Sequence, residues 1–157
     1  METLTPVPTC RHARIQIPTC RPHELIDLTD RVQSFVSDAA LRTGVINVQT
    51  MHTTSAVVVN EHEPLLLTDF EALLERTAPQ GACYRHDDLV LRTVNLTDGE
   101  RANGHAHCRA LFLPSAVSLN VVKGRLVLGQ WQRIFFVELD GPRERDVSIL
   151  AFGEAWR

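Results

Sequence analysis

The chain has 157 residues, a net charge of −3, 44% hydrophobic and 22% charged residues, a balance that suits one globular domain burying ~70% of its unfolded surface. No basic excess is available to displace counterions from a phosphate backbone, which argues against a nucleic-acid partner, and no run of 18 apolar residues is present to span a bilayer. Met1 to Pro8 carries an acid and two prolines, unlike a signal or transit peptide. The expected compartment is therefore the cytoplasm, where Cys10, Cys20, Cys83 and Cys108 stay reduced.

Residues 1–10 read as a flexible arm and residues 11–157 as a single domain. Arg11 to Ile17 alternates weakly and suits a first strand, and Leu25, Ile26 and Leu28 suit a short second one. Thr29 is a candidate N-cap for a helix whose stripe is Val32, Phe35, Val36, Ala39 and Ala40, with Arg42 in the last turn and Gly44 closing it in the left-handed conformation. Val45 to Thr50 alternates as a half-buried strand does, and the β-branched run Ala56 to Val59 suits a buried one.

Pro64 falls where a second helix begins; Leu66, Phe70, Leu73 and Leu74 give its stripe and Pro79 ends it. Residues 81–103 show no periodicity, and a loop of that length is often functional. Strands follow at 115–122, 125–128, 131–139 and 145–152, separated by the turn signals Lys123-Gly124 and Asp140-Gly141-Pro142. Such close turns imply antiparallel pairing. The expected fold is α+β, with mostly antiparallel, sandwich-like sheets and two main helices.

Histidine, the commonest metal ligand and proton carrier near neutral pH, recurs at His52, His62, His86, His105 and His107. On a strand, His105 and His107 would share a face; on a helix capped by Asn103 they would point ~200° apart. No glycine-rich phosphate loop, GxSxG or HExxH occurs.

Six segments in order resemble the YjbQ-like family, often labelled secondary thiamine-phosphate synthase. They are His52-Thr53-Thr54-Ser55-Ala56 running to Asn60-Glu61, Asp69-Phe70, Tyr84-Arg85-His86-Asp87-Asp88, Glu100-Arg101-Ala102-Asn103-Gly104-His105-Ala106-His107, Gly124-x-Leu126-x-Leu128-Gly129-Gln130-Trp131-Gln132, and Pro142-Arg143-Glu144-Arg145. The chain departs from the family pattern at Gln130, Val117-Ser118 and Cys108. The resemblance implies a compact α+β sandwich, a homotrimer, a short helix following Asn103, and a metal or anion site near the histidines.

On that reading His52, His86 and His107 are the candidate ligands of a divalent metal, zinc foremost, because three protein ligands leave one position open for chemistry. Asp87 and Asp88 beside His86 would orient its ring. Glu61 and His107 are the candidate catalytic groups, Glu61 by taking a proton from a metal-bound water. Arg143 and Arg145 are candidate contacts for a small phosphorylated ligand. The implied activity is weak thiamine-phosphate synthesis from a pyrimidine diphosphate and a thiazole phosphate with loss of pyrophosphate. The alternative is a non-enzymatic homotrimer binding a metal or anion.

Overall fold

The computed structural model describes residues 6–156. Two antiparallel sheets carry the architecture. The larger has five strands in the order β1-β8-β3-β5-β6, with β1 Pro6–Pro18, β3 Leu41–Thr50, β5 Ala116–Val122, β6 Arg125–Leu126 and β8 Glu144–Trp156. The smaller has the order β2-β7-β4, with β2 Leu25–Asp27, β4 Ser55–Glu61 and β7 Gln132–Glu138. Three helices, α1 Thr29–Asp38, α2 Pro64–Thr77 and α3 Gly104–Ala110, complete the α+β domain. No helix among the described residues is long and apolar enough to cross a membrane.

The sheets enclose the main core. Ile17, Ile46, Val48, Val121, Val147 and Ile149 face Val57, Ile134 and Phe136, while Leu28, Val32 and Val36 close one side. A second core lies on the opposite face of the smaller sheet, where Ala56, Phe135 and Val137 pack against Leu74 of α2 and Ala106 of α3. Strand β7 is thus buried on both faces. This is why its sequence Ile134-Phe135-Phe136-Val137 is a continuous apolar run instead of an alternating one. Its mates in β4, Ala56 to Val59, are continuous for the same reason.

Several local expectations are corrected. Strand β1 begins at Pro6, so residues 6–10 of the expected arm pair with β8; residues 1–5 lie outside the described residues. Leu28, not Thr29, is the N-cap of α1, because the Thr29 hydroxyl accepts from the Ile134 N–H of β7 at 2.8 Å. Helix α1 ends at Asp38 and Ala40 takes the left-handed turn (φ 49°) expected at Gly44. Gly44 instead sits inside β3, opposite Gly153 of β8, where a Cβ would lie 2.2 Å from the Phe152 carbonyl oxygen. Close approach of two strands, not helix closure, requires that glycine. At α2, Pro64 occupies the first turn as expected, and the Glu63 carboxylate accepts from the Leu65 and Leu66 N–H groups at 3.0 and 2.8 Å.

Candidate functional site

Five chain segments meet around one cavity of about 1170 Å³. The turn between β3 and β4 contributes His52, Thr53 and Thr54. A single 3₁₀ turn at Arg85–Asp87 contributes Arg85 and His86, and the long loop after it Arg92, Glu100 and Arg101. Asn103 is the N-cap of α3 and His107 lies at its middle, while Arg143 and Arg145 come from the β7–β8 turn and the first residues of β8. Five guanidinium groups and three imidazoles therefore face a space whose lining holds one carboxylate, that of Glu100. Such an excess of positive donors focuses anions.

The arginines differ in how far they are free to meet a ligand. Arg145 is 2% exposed and gives Nε and Nη2 to the fully buried Glu138, with a further bond from Nη2 to the Thr54 hydroxyl at 3.1 Å. Burial acts to raise the Glu138 carboxyl, but Arg145 and the Asp140 N–H outweigh it and hold the group below its ordinary value. Arg92 binds Glu100 and the carbonyls of Val94 and Asn95, pinning the loop on itself. Arg143 binds Asp140, and Arg101 approaches the same carboxylate oxygen at 4.0 Å. Arg85, Arg101 and Arg143 keep substantial exposure, so they offer the accessible positive charge.

His86 and His107 form the closest functional pair, with ring centroids 4.5 Å apart and planes at 60°. Burial, then His86 and Arg92, push the His107 pKa below its ordinary value, which favours the neutral ring. His86 Nε2 is buried without a hydrogen-bond partner and lies 4.0 Å from Glu100 Oε1. His52 lines the same cavity but is held differently: the Asp146 N–H donates to its Nε2 at 2.8 Å. Burial, followed by Arg145, lowers its pKa. The proton must then sit on Nδ1, and the Nε2 lone pair is spent.

His52, His86 and His107, the expected metal ligands, all line this cavity. Among the described residues no group of three His, Cys, Asp or Glu side chains is arranged to hold a metal ion, and His52 Nε2 already accepts a backbone proton. Glu61 is displaced from its expected role. It sits at the far end of β4 opposite Gln132 and does not line the cavity. His62 pairs with Asp27 at 3.2 Å and packs edge-on against Phe135, away from the site.

The helix at 104–110 settles the two-histidine ambiguity: His107 faces the cavity, and His105 turns inward, 2% exposed, toward Tyr84. Trp131 of the Gly124–Gln132 motif is 63% exposed and does not line the cavity. Asn103, Glu100, Arg101, Arg92 and Arg85 are among the lining residues that the sequence did not mark as site groups. Four of them lie in the two motifs Tyr84–Asp88 and Glu100–His107, and that clustering was the available signal.

A two-sheet α+β domain with a cationic, histidine-bearing cavity at the sheet ends defines the class. Residues 13–154 match the family described as UPF0047 protein YjbQ-like, and the chain belongs to it. A UPF0047 protein of Methanothermobacter thermautotrophicus is 39% identical over 140 residues, covering 89% of this chain and 90% of the relative. Another from Archaeoglobus fulgidus is 39% identical over 137 residues, covering 87% and 98%. Among solved structures, a YbjQ-like protein of unknown function from Sulfolobus solfataricus superposes with a TM-score of 0.82 at 34% identity, covering 94% of this chain and 99% of that one. A hypothetical protein from Aeropyrum pernix gives 0.80 at 36% identity, covering 91% and 98%.

Proposed function

We propose that this chain is a small phosphate-handling enzyme that binds a phosphorylated molecule in the cationic cavity. The observation that carries the reading is the convergence of Arg85, Arg101 and Arg143 on a space also lined by His86 and His107. Guanidinium groups bind phosphate oxygens in pairs. His107, its pKa held below the ordinary value by burial, offers a ring N–H to a phosphoryl oxygen of the bound molecule. The concrete reaction to test is the one the family resemblance implies. A carbon–oxygen bond of a pyrimidine diphosphate breaks, pyrophosphate leaves with the electron pair, and the thiazole nitrogen takes its place on the carbon. The arginines would stabilise the leaving pyrophosphate.

Titration calorimetry with inorganic phosphate and pyrophosphate tests the binding half. Both should bind, with affinity falling about tenfold or more in Arg143→Ala and declining with salt. Absence of binding removes the reading. An assay with the pyrimidine diphosphate and the thiazole phosphate tests the chemistry, and product formation should be lost in His107→Ala. Binding without turnover on these substrates favours the alternative of an anion-binding protein.

The same reading takes the protein as a homotrimer. Apolar side chains left open on one chain support it: Val90 is 90% exposed, Leu111 82% and Phe112 68%. Exposed apolar area of this kind marks contact surfaces. Analytical ultracentrifugation at micromolar concentration should give about three times the 17.6 kDa chain mass; a single-chain mass rejects the trimer.

A further inference from the structure

Within a cavity dominated by donors, two buried polar atoms have no protein partner: Asn103 Oδ1 and His86 Nε2. The orientation of the Asn103 amide follows from chemistry. Its Nδ2 faces Asp140 Oδ2 at 3.4 Å, and a carboxylate can only accept, so the nitrogen must be on that side and Oδ1 on the other. Asn103 is 7% exposed, and its backbone is tied down by a bond from its N–H to Asp87 Oδ1 at 2.9 Å. The carbonyl oxygen is therefore fixed, dehydrated and unsatisfied, a state that costs stability unless something donates to it.

Asp140 also links this acceptor to the phosphate-binding arginines. The Asp140 Oδ2 that takes the Asn103 amide also takes Arg143 Nη2 and lies 4.0 Å from Arg101 Nη2. An anion held by Arg101 and Arg143 would sit within one small-molecule length of the Asn103 carbonyl. His86 Nε2 is a second buried atom without a partner on a cavity-lining residue, 4.0 Å from the Glu100 carboxylate and too far to be satisfied by it.

From this arrangement we infer that the cavity selects phosphorylated molecules whose organic part carries a hydroxyl or amino hydrogen, donated to Asn103 Oδ1. The inference rests on the phosphate-binding reading above and adds the polarity of the ligand's body. It also explains why a site rich in cations keeps a buried amide at its edge. A purely anionic ligand would leave that acceptor empty, whereas an O–H or N–H donor close to the phosphate satisfies both poles.

The test compares ethyl phosphate with 2-hydroxyethyl phosphate by titration calorimetry on the full-length protein, with inorganic phosphate as the reference. The two esters carry the same charge and differ by one hydroxyl. The hydroxyl ester should bind about fivefold to tenfold more tightly, and in Asn103→Ala the ratio between the esters should fall to about one. Failure of inorganic phosphate to bind overturns the cavity reading itself. Phosphate binding with equal affinity for the two esters overturns this inference alone, since an ordered water then satisfies Asn103. The wild-type ratio decides the matter even where the variant does not fold.

Discussion

Asp87 Oδ1 accepts hydrogen bonds from the Gly104 N–H at 2.8 Å and the Asn103 N–H at 2.9 Å, so one carboxylate oxygen joins the 3₁₀ turn of His86 to the start of the helix bearing His107. The 4.5 Å ring contact between those histidines depends on this joint. Asp87→Ala leaves two helix-start donors unpaired and should lower stability by ~1–2 kcal/mol. Urea unfolding measures that loss. Phosphate affinity should drop with it, because His86 and Asn103 lose their common anchor. Unchanged stability and unchanged affinity together would contradict this role.

Arg145 and Glu138 form a pair in which both side chains are nearly or fully out of water. Truncating one member strands a buried charge, which costs about 3–5 kcal/mol. Arg145→Met and Glu138→Gln should each approach that figure. The double variant should lose less than the sum, because neither charge is then left alone. Chemical denaturation of the three proteins gives the coupling. Strict additivity would mean that the pair is not the unit of stability. The same burial limits Arg145 as a phosphate contact: its Nε and Nη2 serve Glu138 before any ligand arrives.

Strand and helix content was legible where the residue pattern itself carried the constraint. The run Ala56 to Val59 announced a buried strand, and Pro64 announced the first turn of α2. The site was legible only in part. His52, His86 and His107 do line one cavity, but a linear pattern cannot show that the Asp146 N–H, 94 residues away, occupies His52 Nε2. Glu61 looked poised because it follows a buried strand; the direction of β4 carries it to the opposite end from the cavity. The loop bearing Arg92 and Glu100 gave no periodicity because its order comes from side chains bonding local backbone, through Arg92 to Val94 and Asn95 and through Asp88 to Val90 and Leu91.

Gly44 and Gly153 face each other across β3 and β8. A Cβ on Gly153 would lie 2.2 Å from the Thr43 carbonyl oxygen and 2.7 Å from the Gly44 Cα. The obstruction is backbone, which cannot swing aside. Gly44→Ala or Gly153→Ala should therefore destabilise by about 3 kcal/mol or more, the upper end of overpacking costs. Thermal and urea midpoints report it. A variant within 0.5 kcal/mol of the parent, an order-of-magnitude limit typical of surface sites, would show that the strands separate freely.

Arg109 is fully buried, with Nε donating to the Ala78 carbonyl at 2.9 Å, Nη2 to Glu75 and Nη1 to His23 Nε2. His23 can accept that bond only when neutral. Burial first, then Arg109, push its pKa below 6.5; Glu75 and Glu71 of α2 oppose the shift and His105 of α3 adds to it. Between that lowered value and 6.5 the folded protein binds fewer protons than the unfolded chain, so stability is present above 6.5 and lost as pH falls below it. His52, His105 and His107, each lowered first by burial, act with the same sign. His23→Gln retains a neutral acceptor that does not titrate. Urea unfolding at pH 7.5 and 5.5 should show a smaller acid loss in this variant than in the parent. Identical losses would mean that His23 protonates without disturbing Arg109.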